Sequence, residues 1–160
     1  MQCLVVYYSL TGNTRKVAER AARSLAADVA EIYAQRYRSG AFRTIRAVFD
    51  AWRGKLPAIE VDGAAPDNYE LVLLMGPVWA GHAASPLRAY LAQSRGRLRR
   101  AAFLLTCAGS CPPRAFEEMA VAAGIKPEAT LMVLDREIGS TGLPSALATF
   151  LASINASKAA

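Results

Sequence analysis

Cysteine and histidine are scarce in this sequence, and it contains no long apolar run. The chain has three cysteines, Cys3, Cys107 and Cys111, and a single histidine, His82. Three cysteines do not build the disulfide framework of a small secreted protein, and none is spaced with the histidine as zinc ligands are. A membrane-spanning helix would need about 20 consecutive apolar residues. These absences argue against a disulfide-rich secreted domain, a zinc module and a membrane-spanning protein.

The beginning of the chain also lacks the basic segment and small-residue cleavage site of a secretory signal. We therefore expect a cytoplasmic protein. The 160 residues suit one domain, residues 1–160, because no repeat or linker divides them. No nucleic-acid-binding motif is recognisable, so no nucleic-acid partner is expected.

Apolar runs alternate with helical patterns along the whole chain. The runs predict five strands, at residues 4–8, 29–33, 71–75, 101–105 and 130–134. Nearly continuous apolar strands, each followed by a helix, are typical of a parallel sheet that helices cover on both faces. The predicted fold is therefore a three-layer α/β/α sandwich with strand order 2-1-3-4-5. In that order the loops after strands 1 and 3 diverge and leave a ligand crevice.

Positive charge is concentrated in one segment. The net charge is +6, and residues 36–55 contain six lysines and arginines against Asp50 alone. Such a segment attracts an acidic partner or an anionic substrate. A solvated helix face is the more ordinary explanation, and it is the one we favour.

A helix is predicted within this basic segment, over residues 41–53. Phe42, Ile45, Phe49 and Trp52 follow one another at spacings of three, four and three, which places them on one side of the helix. We expect this side to pack into the core. A helix lying on a membrane surface is the alternative, because basic amphipathic helices with aromatic residues also bind there.

The turn after the first strand has the chemistry of a phosphate site. Gly12 permits a tight turn, and the amides at the start of the following helix can point into one concavity. The hydroxyls of Ser9, Thr11 and Thr14 add donors around it. The segment is neither G-x-x-x-x-G-K-[ST] nor G-x-G-x-x-G, which argues against a nucleoside triphosphate and a dinucleotide.

The segment Ser-Leu-Thr-Gly-Asn-Thr resembles the phosphate loop of flavodoxins, and the resemblance extends over nearly the whole chain. The fifth strand is not interrupted, as in short-chain flavodoxins. The resemblance implies flavin mononucleotide (FMN) as cofactor. Its phosphate would be bound by Ser9, Leu10, Thr11, Gly12, Asn13 and Thr14.

The resemblance also implies which loops would hold the flavin ring. After strand 3, Trp79 stands where flavodoxins carry an aromatic residue that stacks on the ring; the alternative is a tryptophan packed beneath the loop. The predicted ring contacts in this loop are Pro77, Val78, Trp79, Ala80 and Gly81. After strand 4, backbone amides would bind the ring edge. The predicted residues there are Thr106, Cys107, Ala108 and Gly109.

The sequence departs from many flavodoxins in several places. The loop after strand 4 has no second aromatic residue, and Ala80 stands where many members have glycine. The chain is also basic, whereas many flavodoxins are acidic around the flavin. Cys107 and Cys111 could form a dithiol relay, although nothing marks either thiol as activated. His82 is either a proton donor near the flavin or an ordinary loop histidine.

Three functions remain open on the sequence, and no catalytic residue can be named. The first is an electron carrier that passes electrons through FMN to a redox partner protein. The second is an FMN-dependent NAD(P)H or quinone oxidoreductase with a small quinone-type acceptor. The third is an interaction domain without cofactor, with the basic segment as its working surface.

Overall fold

A parallel sheet forms the centre of the protein. The computed structural model describes residues 2–109, 112–139 and 142–156. Within these ranges seven strands form one sheet. They are β1 (Cys3–Tyr7), β2 (Asp28–Tyr33), β3 (Glu60–Asp62), β4 (Leu71–Trp79), β5 (His82–Ala83), β6 (Ala101–Cys107) and β7 (Thr130–Leu134).

The sheet has the predicted strand order. Strands β2, β1, β4, β6 and β7 lie side by side in that order and run parallel, which confirms the predicted order 2-1-3-4-5. Two short antiparallel strands were not predicted. β3 extends the edge beside β2, and β5 folds back onto the end of β4. Strands of two or three residues carry too little periodicity to be found in the sequence.

Helices cover both faces of the sheet. They are α1 (Asn13–Leu25), α2 (Arg43–Trp52), α3 (Ser85–Gln93), α4 (Arg114–Ala123) and α5 (Gly142–Ala156). Successive side chains of a strand point to opposite faces, so Val5 and Leu73 pack with α1 and α5, whereas Leu4 and Val72 pack with α2, α3 and α4. The two cores confirm the three-layer sandwich. No described helix has both the length and the apolar character that crossing a membrane requires.

Helix α2 lies in the predicted place, but the prediction that its aromatic side packs into the core is wrong. Phe42, Ile45, Phe49 and Trp52 are all exposed, each by half or more of its surface. The helix is buried on its opposite side instead, through its small or polar residues Ala47, Asp50 and Ala51. Helical spacing locates an apolar side but does not say whether another part of the fold covers it.

Asp50 attaches α2 to the segment that follows β2. Its carboxylate accepts hydrogen bonds from the Tyr37 hydroxyl at 2.8 Å and from Arg36 Nη2 at 3.2 Å. Asp50 is buried, and the hydrogen bond from Arg36 lowers the pKa of its carboxyl below the usual 3.8. The charged form of Asp50 is therefore the one that stabilises the fold.

A lowered pKa stabilises the fold above the unfolded value and loses that effect as the pH falls through the folded value. We expect Asp50→Asn to lower the free energy of unfolding by about 1–2 kcal/mol at pH 7, since water partly screens Arg36. The difference from the natural protein should shrink towards pH 3. Urea unfolding at both pH values measures it. The control is Asp67→Asn, whose exposed pair with Arg97 should contribute little; a difference for Asp50→Asn that does not change with pH would contradict the assignment.

Candidate functional site

Three of the predicted loops leave the sheet at the same edge. β1, β4 and β6 are neighbours, and their carboxyl ends lie together. The amide of Tyr8 donates to the Met75 carbonyl at 3.0 Å, just beyond the end of β1. Pro77 on β4 lies opposite Thr106 on β6. The structure thus brings together the loops that follow these three strands, as the strand order requires.

The turn between β1 and α1 is built around Gly12. This residue has φ +93°, a conformation that favours glycine. Its amide donates to Ser9 Oγ at 3.1 Å, and its carbonyl accepts the first helical hydrogen bond, from the Lys16 amide at 3.1 Å. No heavy atom lies within 4 Å of the place where a Cβ of residue 12 would stand. The turn is therefore open on its outer side.

The first turn of α1 offers a group of backbone donors. Among the described residues, no acceptor is found for the amides of Asn13, Thr14 and Arg15. Such amides carry the partial positive charge of the helix start. Thr11, directly before the glycine, is exposed, and Ser9, Leu10 and Asn13 are half-buried. This donor set fits a phosphate monoester.

Thr14 differs from its predicted role in one respect. Its hydroxyl lies 2.7 Å from the hydroxyl of Thr106, and both residues are buried. The Thr14 hydroxyl therefore ties α1 to β6, and the prediction that it is a donor in the open turn is not supported. The sequence indicated no such pair, because the two residues lie 92 positions apart.

Trp79 also differs from its predicted role. Its side chain is only 7% exposed. It packs edge-on against the rings of Tyr8 and Tyr37, with both pairs of ring centroids 5.5 Å apart. The prediction of an exposed stacking platform is wrong for this conformation, and the alternative of a packed tryptophan describes it. Tyr8 and Tyr37 sit on different elements, so the sequence did not reveal the cluster.

The segment predicted as the loop after strand 3 is mostly strand. β4 continues through Gly76 and Pro77 to Trp79, and the turn itself contains only Ala80 and Gly81. These two residues have φ +51° and +80°. Val78 pairs with Ala83 across the hairpin. The predicted strand 71–75 is therefore too short: Gly76 and Pro77 still pair with β6, and the last two residues of β4 pair with β5.

The positive φ at Ala80 gives a stability prediction. A non-glycine residue in the left-handed region is strained by about 1 kcal/mol, while glycine adds freedom to the unfolded chain. We expect Ala80→Gly to raise the free energy of unfolding by roughly 0.5 kcal/mol. Urea unfolding checks this, and Ala83→Gly, at a strand position with a buried side chain, should instead destabilise. A loss of stability in Ala80→Gly would show that the turn is not strained.

The loop after β6 is only partly described. Ala108 and Gly109 are exposed, and the buried Cys107 thiol donates to the Gly109 carbonyl at 3.3 Å. Cys111, the second thiol of the hypothetical relay, lies outside the described residues. His82 is not an isolated loop residue: it belongs to β5, and its Nδ1 lies 2.9 Å from the Glu118 carboxylate on α4. That contact holds the hairpin against α4.

A basic cleft lies beside the turn between β1 and α1, and the sequence indicated its positive charge but not this position. Arg15, Arg38 and Arg43 line it together with Ser9 and Leu10. Arg15 on α1 pairs with Glu31 on β2. Arg38 and Arg43 therefore contribute most of the positive charge of the cleft.

The pair between α1 and β2 belongs to a larger network. Glu31 also accepts hydrogen bonds from the hydroxyls of Tyr7 at 2.8 Å and Tyr33 at 3.0 Å. Burial, more than the bond to Glu31, raises the pKa of Tyr7 to about 12. The Tyr7 hydroxyl therefore stays protonated at neutral pH and holds the carboxylate beside Arg15.

Comparison with solved structures supports the fold, whereas the other comparisons found no match. No protein-family model and no curated protein matches the sequence. Among solved structures, a flavoprotein in complex with FMN from Lactobacillus acidophilus NCFM is 25% identical, with a TM-score of 0.72, covering 86% of this chain and 95% of its own.

Two further structures share the fold at lower identity. A flavodoxin, WrbA-like protein from Agrobacterium tumefaciens has a TM-score of 0.59 at 14% identity and covers 98% of this chain and 97% of its own. A short-chain flavodoxin associated with a bacterial microcompartment has a TM-score of 0.55 at 14% identity, with 98% and 99% covered. The strand order and these similarities show that the chain has a flavodoxin-like fold.

Proposed function

We propose that the chain binds FMN at the carboxyl edge of its sheet and transfers electrons through it. The observation that carries the proposal is the group of amides at Asn13, Thr14 and Arg15, which have no acceptor among the described residues. They lie beside an open Gly12 and an exposed Thr11. The similar flavoprotein from Lactobacillus acidophilus is in complex with FMN, which supports the same cofactor here.

Different segments of the chain would bind the phosphate and the ring of FMN. The turn and the first turn of α1 would hold the phosphate, and the exposed backbone at Ala108 and Gly109 would approach the edge of the ring. When bound, FMN supplies the redox chemistry, and the protein supplies position and electrostatics. The arginines of the adjacent cleft would favour an anionic cofactor.

The proposal is tested by titrating the FMN-free protein with FMN and with riboflavin in a calorimeter. Riboflavin has the same ring but no phosphate. We expect FMN to bind at least 100-fold more tightly, because charge-assisted hydrogen bonds are the main contacts of this site. Equal affinities would remove the turn between β1 and α1 from the site. A protein that binds neither would be the interaction domain without cofactor.

An oxidoreductase is the second candidate. Trp79 is buried, and no other aromatic residue stands in the described parts of the loops after β1, β4 and β6 apart from the buried Tyr8. A small quinone-type acceptor would then reach the flavin without displacing a ring. Steady-state oxidation of NADH or NADPH with a quinone separates this candidate from the carrier, which would instead need a redox partner protein.

A further inference from the structure

The outer side of α2 presents an apolar surface that no described part of the protein covers. Ile45 and Trp52 are each 67% exposed, and Phe42 is 69% exposed. With Val48 and Phe49 they form one stripe along the helix, which we call the α2 stripe. The rings of Phe49 and Trp52 lie 6.0 Å apart, so the stripe is continuous. Soluble proteins rarely leave several large apolar side chains together on one surface without a use.

Positive charge surrounds the α2 stripe. Arg43, Arg46, Arg53 and Lys55 are all exposed around it. The Arg53 guanidinium lies 5.4 Å from the centroid of the Phe49 ring, so at least one of these cations is in direct contact with the stripe. The single acidic residue of the segment, Asp50, points to the core and pairs with Arg36. Within residues 36–55 the exposed charge is therefore entirely positive.

This charge pattern discriminates between possible occupants. A second copy related by a two-fold axis would bring four cations of each chain together, which is unfavourable. An anionic surface is complementary. Phe42 directly precedes α2 and Trp52 ends it, so the apolar surface extends along the whole helix, as in a helix that lies flat on a bilayer. Aromatic residues with arginine beside them are typical of helices that lie in the membrane interface.

We propose that α2 docks the protein onto an anionic lipid bilayer, with the α2 stripe in the boundary between headgroups and acyl chains. Arg43, Arg46, Arg53 and Lys55 would contact the lipid phosphates. Ala80, in the turn after β4, lines the same apolar depression as Ile45, Phe49 and Trp52. Docking would thus hold the candidate flavin site close to the lipid surface, a consequence that rests on the proposed function, whereas the docking itself does not.

Vesicle binding tests the docking without any cofactor. The FMN-free full chain is mixed with vesicles of phosphatidylcholine alone or with about 30% phosphatidylglycerol and sedimented. We expect binding to the anionic vesicles only, weakened by salt. Ile45→Asp should reduce it at least tenfold, because a carboxylate replaces an apolar contact in a surface that faces lipid phosphates. The fold should survive, since Ile45 is exposed.

A matched control and a second variant keep the test specific. Val121 on α4 is 72% exposed and lies outside the α2 stripe, so Val121→Asp should bind vesicles like the natural protein. Arg46→Gln combined with Lys55→Gln keeps the stripe, leaves the cleft beside Ser9 unchanged, and should weaken binding to anionic vesicles about 30-fold.

Three outcomes would overturn the proposal. The first is no binding to anionic vesicles, which would leave an acidic protein as the occupant. The second is an equal loss of binding in Val121→Asp. The third is a dimer in sedimentation equilibrium that Ile45→Asp dissociates, which would assign the α2 stripe to a second copy. None of these outcomes depends on FMN, so a failure of FMN binding and a failure of docking are separate results.

Discussion

Thr11→Glu is expected to weaken FMN binding about 100-fold while the protein remains folded. Thr11 is exposed and directly precedes Gly12 in the turn. A carboxylate about 5 Å from a phosphate dianion costs roughly 3 kcal/mol at an effective dielectric constant of about 40, which corresponds to that factor. An acidic residue near a helix start is itself favourable, so the expected loss does not come from unfolding.

Thr11→Gln is the matched control, because it has nearly the same size and shape without the charge. We expect it to keep FMN affinity within about threefold, since it leaves the amides of Asn13, Thr14 and Arg15 in place. Riboflavin adds a second control: its affinity should be the same in both variants. Calorimetry measures all four values. If the two variants lost FMN affinity equally, the effect would be steric, and the phosphate would not lie at this turn.

The strand order was predictable from the sequence because it depends on features that are strong and local. β1, β4 and β6 are nearly continuous apolar runs, which are typical of strands buried on both faces. Gly12 after β1 indicated a turn into a helix. The open turn at Gly12 follows from the same two features, so its position was predictable together with the fold.

The side-chain roles were less predictable, because they depend on contacts between distant residues. Thr14 and Trp79 both carried the right chemistry for a cofactor, a hydroxyl and a flat ring. The fold uses the first to bond Thr106 and the second to pack between Tyr8 and Tyr37. A hydroxyl or an aromatic ring can contact either a cofactor or another side chain. The residue type alone therefore does not show which of the two it contacts.

The α2 stripe shows the opposite error. The helical spacing of its residues was predicted correctly, but the prediction that they are buried was wrong. The helix is anchored on the other side by Asp50, whose pair with Arg36 and hydrogen bond from Tyr37 fix which side faces the sheet. Aspartate is rarely buried, so hydropathy alone predicts that the apolar side of this helix, and not the side with Asp50, faces the core. The side of α2 that faces the protein therefore combines the polar contacts of Asp50 with the burial of Ala47 and Ala51.

Trp79→Ala is expected to lower the free energy of unfolding of the FMN-free protein by about 3–5 kcal/mol. The substitution removes a buried indole and two edge-on aromatic contacts, with Tyr8 and Tyr37. Trp52→Ala is the matched control, since that indole is 67% exposed on the α2 stripe; it should change stability by less than about 0.5 kcal/mol. Urea unfolding followed by circular dichroism avoids the fluorescence that both variants lose. Similar small losses would show that Trp79 is not a core residue.

The same tryptophan limits how the flavin can be bound. To stack on the ring, Trp79 would have to leave its cluster, at a cost of the same order as its truncation. A single stacking contact with the flavin would not offset the cost of leaving the cluster, so we expect Trp79 to stay buried. Trp79→Phe retains a buried ring between Tyr8 and Tyr37 and should therefore keep FMN affinity within about tenfold. Calorimetry with FMN measures it. A loss far beyond tenfold in a protein that still unfolds cooperatively would mean that the indole leaves the cluster on binding, and the ring would then have the stacking partner that the sequence indicated.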